Sequence, residues 1–148
     1  MIYKFMNEAI ALAESAGAKG NVPVGAVVTF NNEIIAKGEN GADAVSHAEL
    51  EAIRAALMQT GGRNLSGCDI YVTLEPCPMC AGAILNAGIK NIYFGAYDSS
   101  HGACGSADNL PARFPMICKT RIFGGIYEEK CRRLIKDYFT EKRKSQCE

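Results

Sequence analysis

The apolar residues of this chain fall into alternating helical and extended patterns. Tyr3, Met6, Ile10 and Ala13 recur at helical spacing and Gly17 closes the run, which predicts an amphipathic packing helix over residues 3–17. Residues 22–30 are almost continuously apolar and read as a buried strand. Asn31 and Asn32 tolerate left-handed backbone and turn the chain into residues 33–37, the second arm of a hairpin. Pro23 stands at the hairpin's entry, where a missing N–H does least harm. Leu50, Ile53 and Leu57 then mark one face of a second helix, which runs to about Gln59 and ends at Gly61-Gly62. Residues 69–74 form a strand apolar at nearly every position, as expected of one covered on both faces. A third helix starts at Cys77 and closes with Gly88 at a left-handed cap position, and residues 92–97 are the next strand.

Strand, helix and strand joined by short connections imply a parallel pair with a right-handed crossover, so with the hairpin the sheet is mixed. Residues 98–116, with Gly102, Gly105, Pro111 and Pro115, read as an irregular loop over a site. Residues 118–123 are a final strand before Gly124-Gly125. Tyr127, Cys131, Leu134, Ile135 and Tyr138 mark a C-terminal helix whose apolar stripe packs on the sheet. The fold class is α/β with a central mixed sheet. The length of 148 residues, with no repeat or linker, suits one domain over 1–148.

Composition adds bounds. Apolar residues are 48% and charged residues 22%, as in ordinary globular proteins. No apolar run approaches the length of a bilayer span, and residues 1–8 lack the plan of a secretory signal, so the expected location is the cytoplasm, without membrane attachment. Seven cysteines form no disulfide framework; Cys68, Cys104, Cys118, Cys131 and Cys147 are expected to be free thiols in a reducing compartment. Net charge is zero but unevenly spread: residues 1–111 carry six Lys/Arg against eleven Asp/Glu, and residues 112–148 carry ten against five. Lys142, Arg143 and Lys144 in that basic end suit phosphate contact, or equally a solvated helix face.

The chemistry concentrates in His47-Ala48-Glu49 and Pro76-Cys77-Pro78-Met79-Cys80. Together they offer one imidazole, two thiols and a carboxylate that need not bind metal. Structural zinc closes its tetrahedron with four protein ligands, whereas catalytic zinc keeps three and leaves one position to water. Cys77 and Cys80 share a face of a first helical turn, with Pro78 where a helix start tolerates proline. The helix N-terminus favours their thiolates. Ser46 is placed to cap the helix beginning at His47.

Each piece has a plainer reading. Ser46-x-x-Glu49 is also a capping box, Cys-x-x-Cys a redox or packed pair, and a single His a core residue. Cys68 or Cys104 could also close the tetrahedron and make the site structural. The conjunction selects a catalytic zinc on His47, Cys77 and Cys80, with Glu49 close but unbound and able to carry the proton of a zinc-polarised water.

This conjunction resembles the zinc deaminase signature. With Pro23-Val24-Gly25-Ala26-Val27, the run from Tyr71 through Ile84, and Phe94-Gly95-Ala96-Tyr97-Asp98 leading to Gly102-Ala103-Cys104-Gly105-Ser106, the chain resembles the cytidine deaminase superfamily and, within it, the bacterial tRNA adenosine deaminases. The resemblance implies a three-layer α/β/α fold with about five strands, one zinc per chain and a homodimer. It also places Asn40 and Val24 at a flipped base and Asp98 in a nucleotide-contacting loop. Without it, Val24 is strand packing, Asn40 a turn residue and Asp98 a loop cap. The implied reaction is conversion of wobble adenosine to inosine in a tRNA anticodon loop. The segment from Asn40 to His47 is shorter than is usual in those enzymes, Tyr97 stands where a basic residue is common, and Met116-Ile117-Cys118-Lys119 replaces an Asn-His-Arg stretch. A shorter loop suits the alternative, a deaminase of a free base or nucleoside of guanine, cytosine or adenine type. A zinc-stabilised RNA-binding module is the reading without catalysis.

Overall fold

The computed structural model describes residues 1–147. Its elements run α1 (Ile2–Ala18), β1 (Gly25–Phe30), β2 (Glu33–Glu39), α2 (Ala48–Thr60), β3 (Asp69–Leu74), α3 (Pro78–Ala87), β4 (Asn91–Ala96), α4 (Leu110–Arg113), β5 (Arg121–Phe123) and α5 (Glu128–Cys147). The strands form one five-stranded sheet in the order β2-β1-β3-β4-β5. β1 is antiparallel to both β2 and β3, whereas β3–β4 and β4–β5 are parallel. Asn31 and Asn32, at φ of 50° and 62°, make the tight turn of the β1–β2 hairpin.

Alternation along the strands divides the interior in two. Ala26, Val28, Ile70, Val72, Ile92 and Phe94 pack against α2 and α3, while Val27, Tyr71 and Tyr93 point the other way, toward α1 and α5. The result is three layers, and it explains why β1, β3 and β4 read as continuous apolar runs. Gly95 lets α5 approach: a side chain there would collide with Cys131 and with the carbonyl of Thr73. Cys131 is fully buried with Leu134 packed on the same cluster, and Ile135 packs against the other one, so the C-terminal stripe does lie on the sheet.

Several boundaries differ from expectation. β1 begins at Gly25, because Pro23 has no N–H to give and Val24 donates to the carbonyl of Val22 at 2.8 Å. α2 begins at Ala48 with His47 as its N-cap, and Ser46 does not cap it. The Ser46 hydroxyl donates instead to Asp43 at 2.7 Å, and the Asn40 side-chain oxygen accepts the Ala48 N–H at 2.8 Å. The capping box is therefore absent. Residues 98–116 are less irregular than expected, with a Cys104–Asn109 bridge and the single turn α4. β5 is only three residues long; Thr120 ahead of it is held by its hydroxyl on the Ile89 carbonyl at 2.8 Å. Cys68, Cys104, Cys118 and Cys131 are free thiols, and the side chain of Cys147 lies outside the described residues. No helix among the described residues is long and apolar enough to cross a membrane.

Candidate active site

Two helix starts meet beyond the end of β3. His47 is the N-cap of α2, with extended backbone at φ −83° and ψ 145°, and Cys77 is the N-cap of α3, with Pro78 opening the helix and Cys80 completing its first turn. These placements bring three sequence-distant donors together. His47 Nδ1 lies 3.5 Å from Cys77 Sγ and 3.4 Å from Cys80 Sγ, and all three donor atoms lie within 4.8 Å of one another. Tetrahedral zinc, with bonds of about 2.0 Å to nitrogen and about 2.3 Å to sulfur, would set those N···S edges at about 3.5 Å. The set of one imidazole and two thiols also matches the borderline-soft preference of zinc. Neither Cys68 nor Cys104 joins the cluster. The count of donors among the described residues is three, as a site open to water requires.

The two thiols of the cluster are shifted in opposite directions. Cys77 sits at the helix start, and hydrogen bonds from the Cys80 thiol and backbone pull its own thiol down to about 5. Cys80 is pushed the opposite way, by that same donation to Cys77 and by burial. Of the pair, Cys77 is thus the thiol that ionises first. Glu49, in the first turn of α2, is 4% exposed. Burial pushes its carboxyl up to about 7, with the neighbouring Cys77 charge acting in the same direction.

The cluster opens onto a cleft of about 310 Å³, where Val24 and Asn40 come from the β1–β2 side and Asp98 and His101 from the segment after β4. Glu49 and His47 share its lining. Asn40 spends its side-chain oxygen on the α2 N-terminus, which leaves its NH₂ as the group available to a ligand. A larger groove of about 690 Å³ lies between α1 and α5, but none of the three donors lines it.

Residues 2–96 match the cytidine and deoxycytidylate deaminase zinc-binding region. The chain belongs to that family. It is thereby a zinc-dependent hydrolytic deaminase of a nucleobase. The tRNA-specific adenosine deaminase of Bacillus subtilis (strain 168) is 39% identical over 144 residues, covering 95% of this chain and 89% of that protein. A solved structure from a study of A-to-I editing by tRNA:A34 deaminases at the wobble position of transfer RNA superposes with a TM-score of 0.84 at 36% identity, covering 88% of this chain and 98% of that one. A guanine deaminase from Bacillus subtilis, 35% identical, superposes with a TM-score of 0.63 and covers 74% of this chain and 73% of its own.

Within this deaminase, Lys142, Arg143 and Lys144 sit apart from the cleft, on the last turns of α5. Lys142 donates to the Tyr138 hydroxyl at 3.4 Å, Arg143 to the Phe139 carbonyl at 3.3 Å, and Lys144 pairs with Glu141 at 3.6 Å. Two further residues at the cleft were not singled out from the sequence. His101 is visible there as the second of only two histidines, in the gap between Asp98 and Gly102, but nothing local gives it a role. Glu75 is 2% exposed and looks like an ordinary strand-end residue; its burial follows from contacts 23 to 31 residues away.

Proposed function

We propose that this chain converts the wobble adenosine of a tRNA anticodon loop to inosine, with His47, Cys77 and Cys80 as zinc ligands and Glu49 as proton carrier. The observation that carries the reading is the buried Glu49 carboxyl beside a three-donor cluster on the floor of a cleft. Zinc held there supplies a polarised water, acidified enough to act as a nucleophile near neutral pH. Glu49 takes the proton of the attacking water. It then passes protons to a ring nitrogen and to the departing amine, a double duty suited to a carboxyl whose burial favours its protonated form. Val24 packs against the extruded base, Asn40 donates through its NH₂, and Asp98 contacts the nucleotide from the opposite wall.

The tRNA substrate is supported by likeness over almost the whole chain to a tRNA-specific deaminase, and by the superposition on a tRNA:A34 deaminase at 36% identity and a TM-score of 0.84. The 35% identity with that guanine deaminase favours deamination of a free base as the second reading. The deciding experiment measures ammonia release by zinc-loaded protein from an anticodon stem-loop with adenosine at the wobble position, beside a panel of free bases and nucleosides. Release from the stem-loop is expected; release from small compounds alone would overturn the tRNA reading.

The proposal extends to a single catalytic domain over 1–148, acting in the cytoplasm as a homodimer. Lys142, Arg143 and Lys144 then meet phosphate on the anticodon stem, outside the cleft. Affinity for the stem-loop should fall with added salt, and neutralising all three should flatten the log–log slope by about 2 to 3. An unchanged slope in the triple variant would leave these side chains as a solvated helix end.

A further inference from the structure

One buried carboxylate at the site has no part in the chemistry above. Glu75 follows β3 and precedes Cys77 by two residues, yet it does not join the donor cluster. Both of its oxygens are committed elsewhere. Oε1 accepts the Asp98 N–H at 3.1 Å and the Ser106 hydroxyl; Oε2 accepts the Cys104 N–H at 3.0 Å and the Ser106 N–H at 3.1 Å. All four donors come from one segment, residues 98–106, which leaves the sheet after β4 and doubles back. The turn is closed by the Gly102 N–H on the Asp98 carbonyl and is tied to the metal-side backbone by the Ala103 N–H on the Pro76 carbonyl, each at 2.8 Å. Gly102 lies flat against the Glu75 carboxyl, where a side chain would overlap it.

The far side of the same segment is a wall of the cleft. Asp98 and His101 line it, and the Asp98 carboxylate accepts the Ser100 and His101 N–H groups, each at 3.1 Å. Four hydrogen bonds converging on one buried acid are a large share of what fixes this irregular stretch, because bonds to a charged acceptor are the strong ones. We infer that Glu75 is a positioning residue for substrate: its carboxylate clamps residues 98–106 and so sets how far Asp98 and His101 stand from the bound base. The inference rests on the deaminase reading for its kinetic arm and on the four hydrogen bonds to Glu75 for its structural arm.

The test is Glu75→Gln in the zinc-loaded protein. The amide keeps one acceptor but turns an N–H₂ toward backbone N–H groups, so one arm of the clamp must open. Amide exchange at Asp98, Cys104 and Ser106 should accelerate about tenfold or more while β3 and β4 keep their protection. KM for the substrate the native protein deaminates should rise about tenfold, with kcat within about threefold and zinc content unchanged, because the four bonds to the Glu75 carboxylate come from residues 98–106 and none from the zinc ligands or Glu49. Ser106→Ala, which deletes only the hydroxyl donor at an exposed position, should shift KM in the same direction by about two- to threefold. It serves where the Gln variant does not fold. Unaltered exchange at the three amides overturns the clamp, even if the stem-loop proves not to be the substrate. Faster exchange with unaltered KM, or loss of zinc, overturns the positioning role. A native protein that deaminates only small compounds defeats the tRNA reading and leaves the Glu75 comparison to be made on those compounds.

Discussion

Glu49→Gln should lower turnover by about 10²- to 10⁴-fold, the range for removing a general acid–base group, while one zinc per chain is retained. The side chain is the same size and its site is buried, so neither packing nor the three donors need move. An amide can accept no proton from water and can deliver none to an amine, so both halves of the reaction suffer together. Metal analysis and ammonia release on one preparation separate this from a ligand role, for which zinc and activity would vanish in step. A zinc-loaded variant with native turnover would remove Glu49 from the mechanism.

The zinc-free protein adds a pH signature to the same substitution. The Glu49 carboxyl is raised from 4.5 to about 7 on folding, so between those values the folded chain binds more of the proton than the unfolded chain does. Stability contributed by the protonated form is thus fully present below pH 4.5 and is lost as pH rises through 7. The Gln variant has no such proton to lose. Melting temperatures of the two zinc-free proteins should converge at low pH and separate above neutrality, with the variant higher. A native protein that gains on the variant as pH rises would contradict the burial argument.

What could be read from sequence followed the range of the interactions involved. The hairpin at Asn31-Asn32 and the parallel β3–α3–β4 unit depend on periodicity and on turn residues, both local, and they appear where expected. The start of α2 was misplaced because two local partners competed. Ser46 is a good cap in isolation, but Asp43 three residues earlier offers its hydroxyl a carboxylate, and the cap falls to Asn40, eight residues from the N–H it receives. Nothing periodic announces such a bond. Glu75 is the extreme case: a charged residue after a strand reads as exposed, and only the return of residues 98–106 makes burial favourable. The clustering of His47, Cys77 and Cys80 was legible because the two helix starts that carry them each have their own local signature, even though 30 residues separate His47 from Cys77. The basic end of the chain was legible as charge and illegible as place, since composition does not say that α5 carries Lys142 away from the cleft.

Cys80→Ala should cost the protein its metal. Cys80 has no solvent exposure, and its Sγ is one of three donors with no described fourth to replace it. Four-ligand structural zinc sites bind with about 10–16 kcal/mol, or about 2.5–4 kcal/mol per ligand, so losing one thiol should weaken zinc by about a hundred- to a thousand-fold. At zinc concentrations that saturate the native chain a hundredfold, binding stabilises it by about 2.7 kcal/mol. Most of that would be lost, lowering the melting temperature by about 5–10 °C for a chain of this size. Deaminase activity should vanish with the metal. The zinc-free proteins provide the control: alanine replaces a small buried side chain, so without zinc the two melting curves should differ far less than with it. Zinc that remains stoichiometric in Cys80→Ala after dialysis against a mild chelator would show that this thiol is packing and that the cation sits elsewhere.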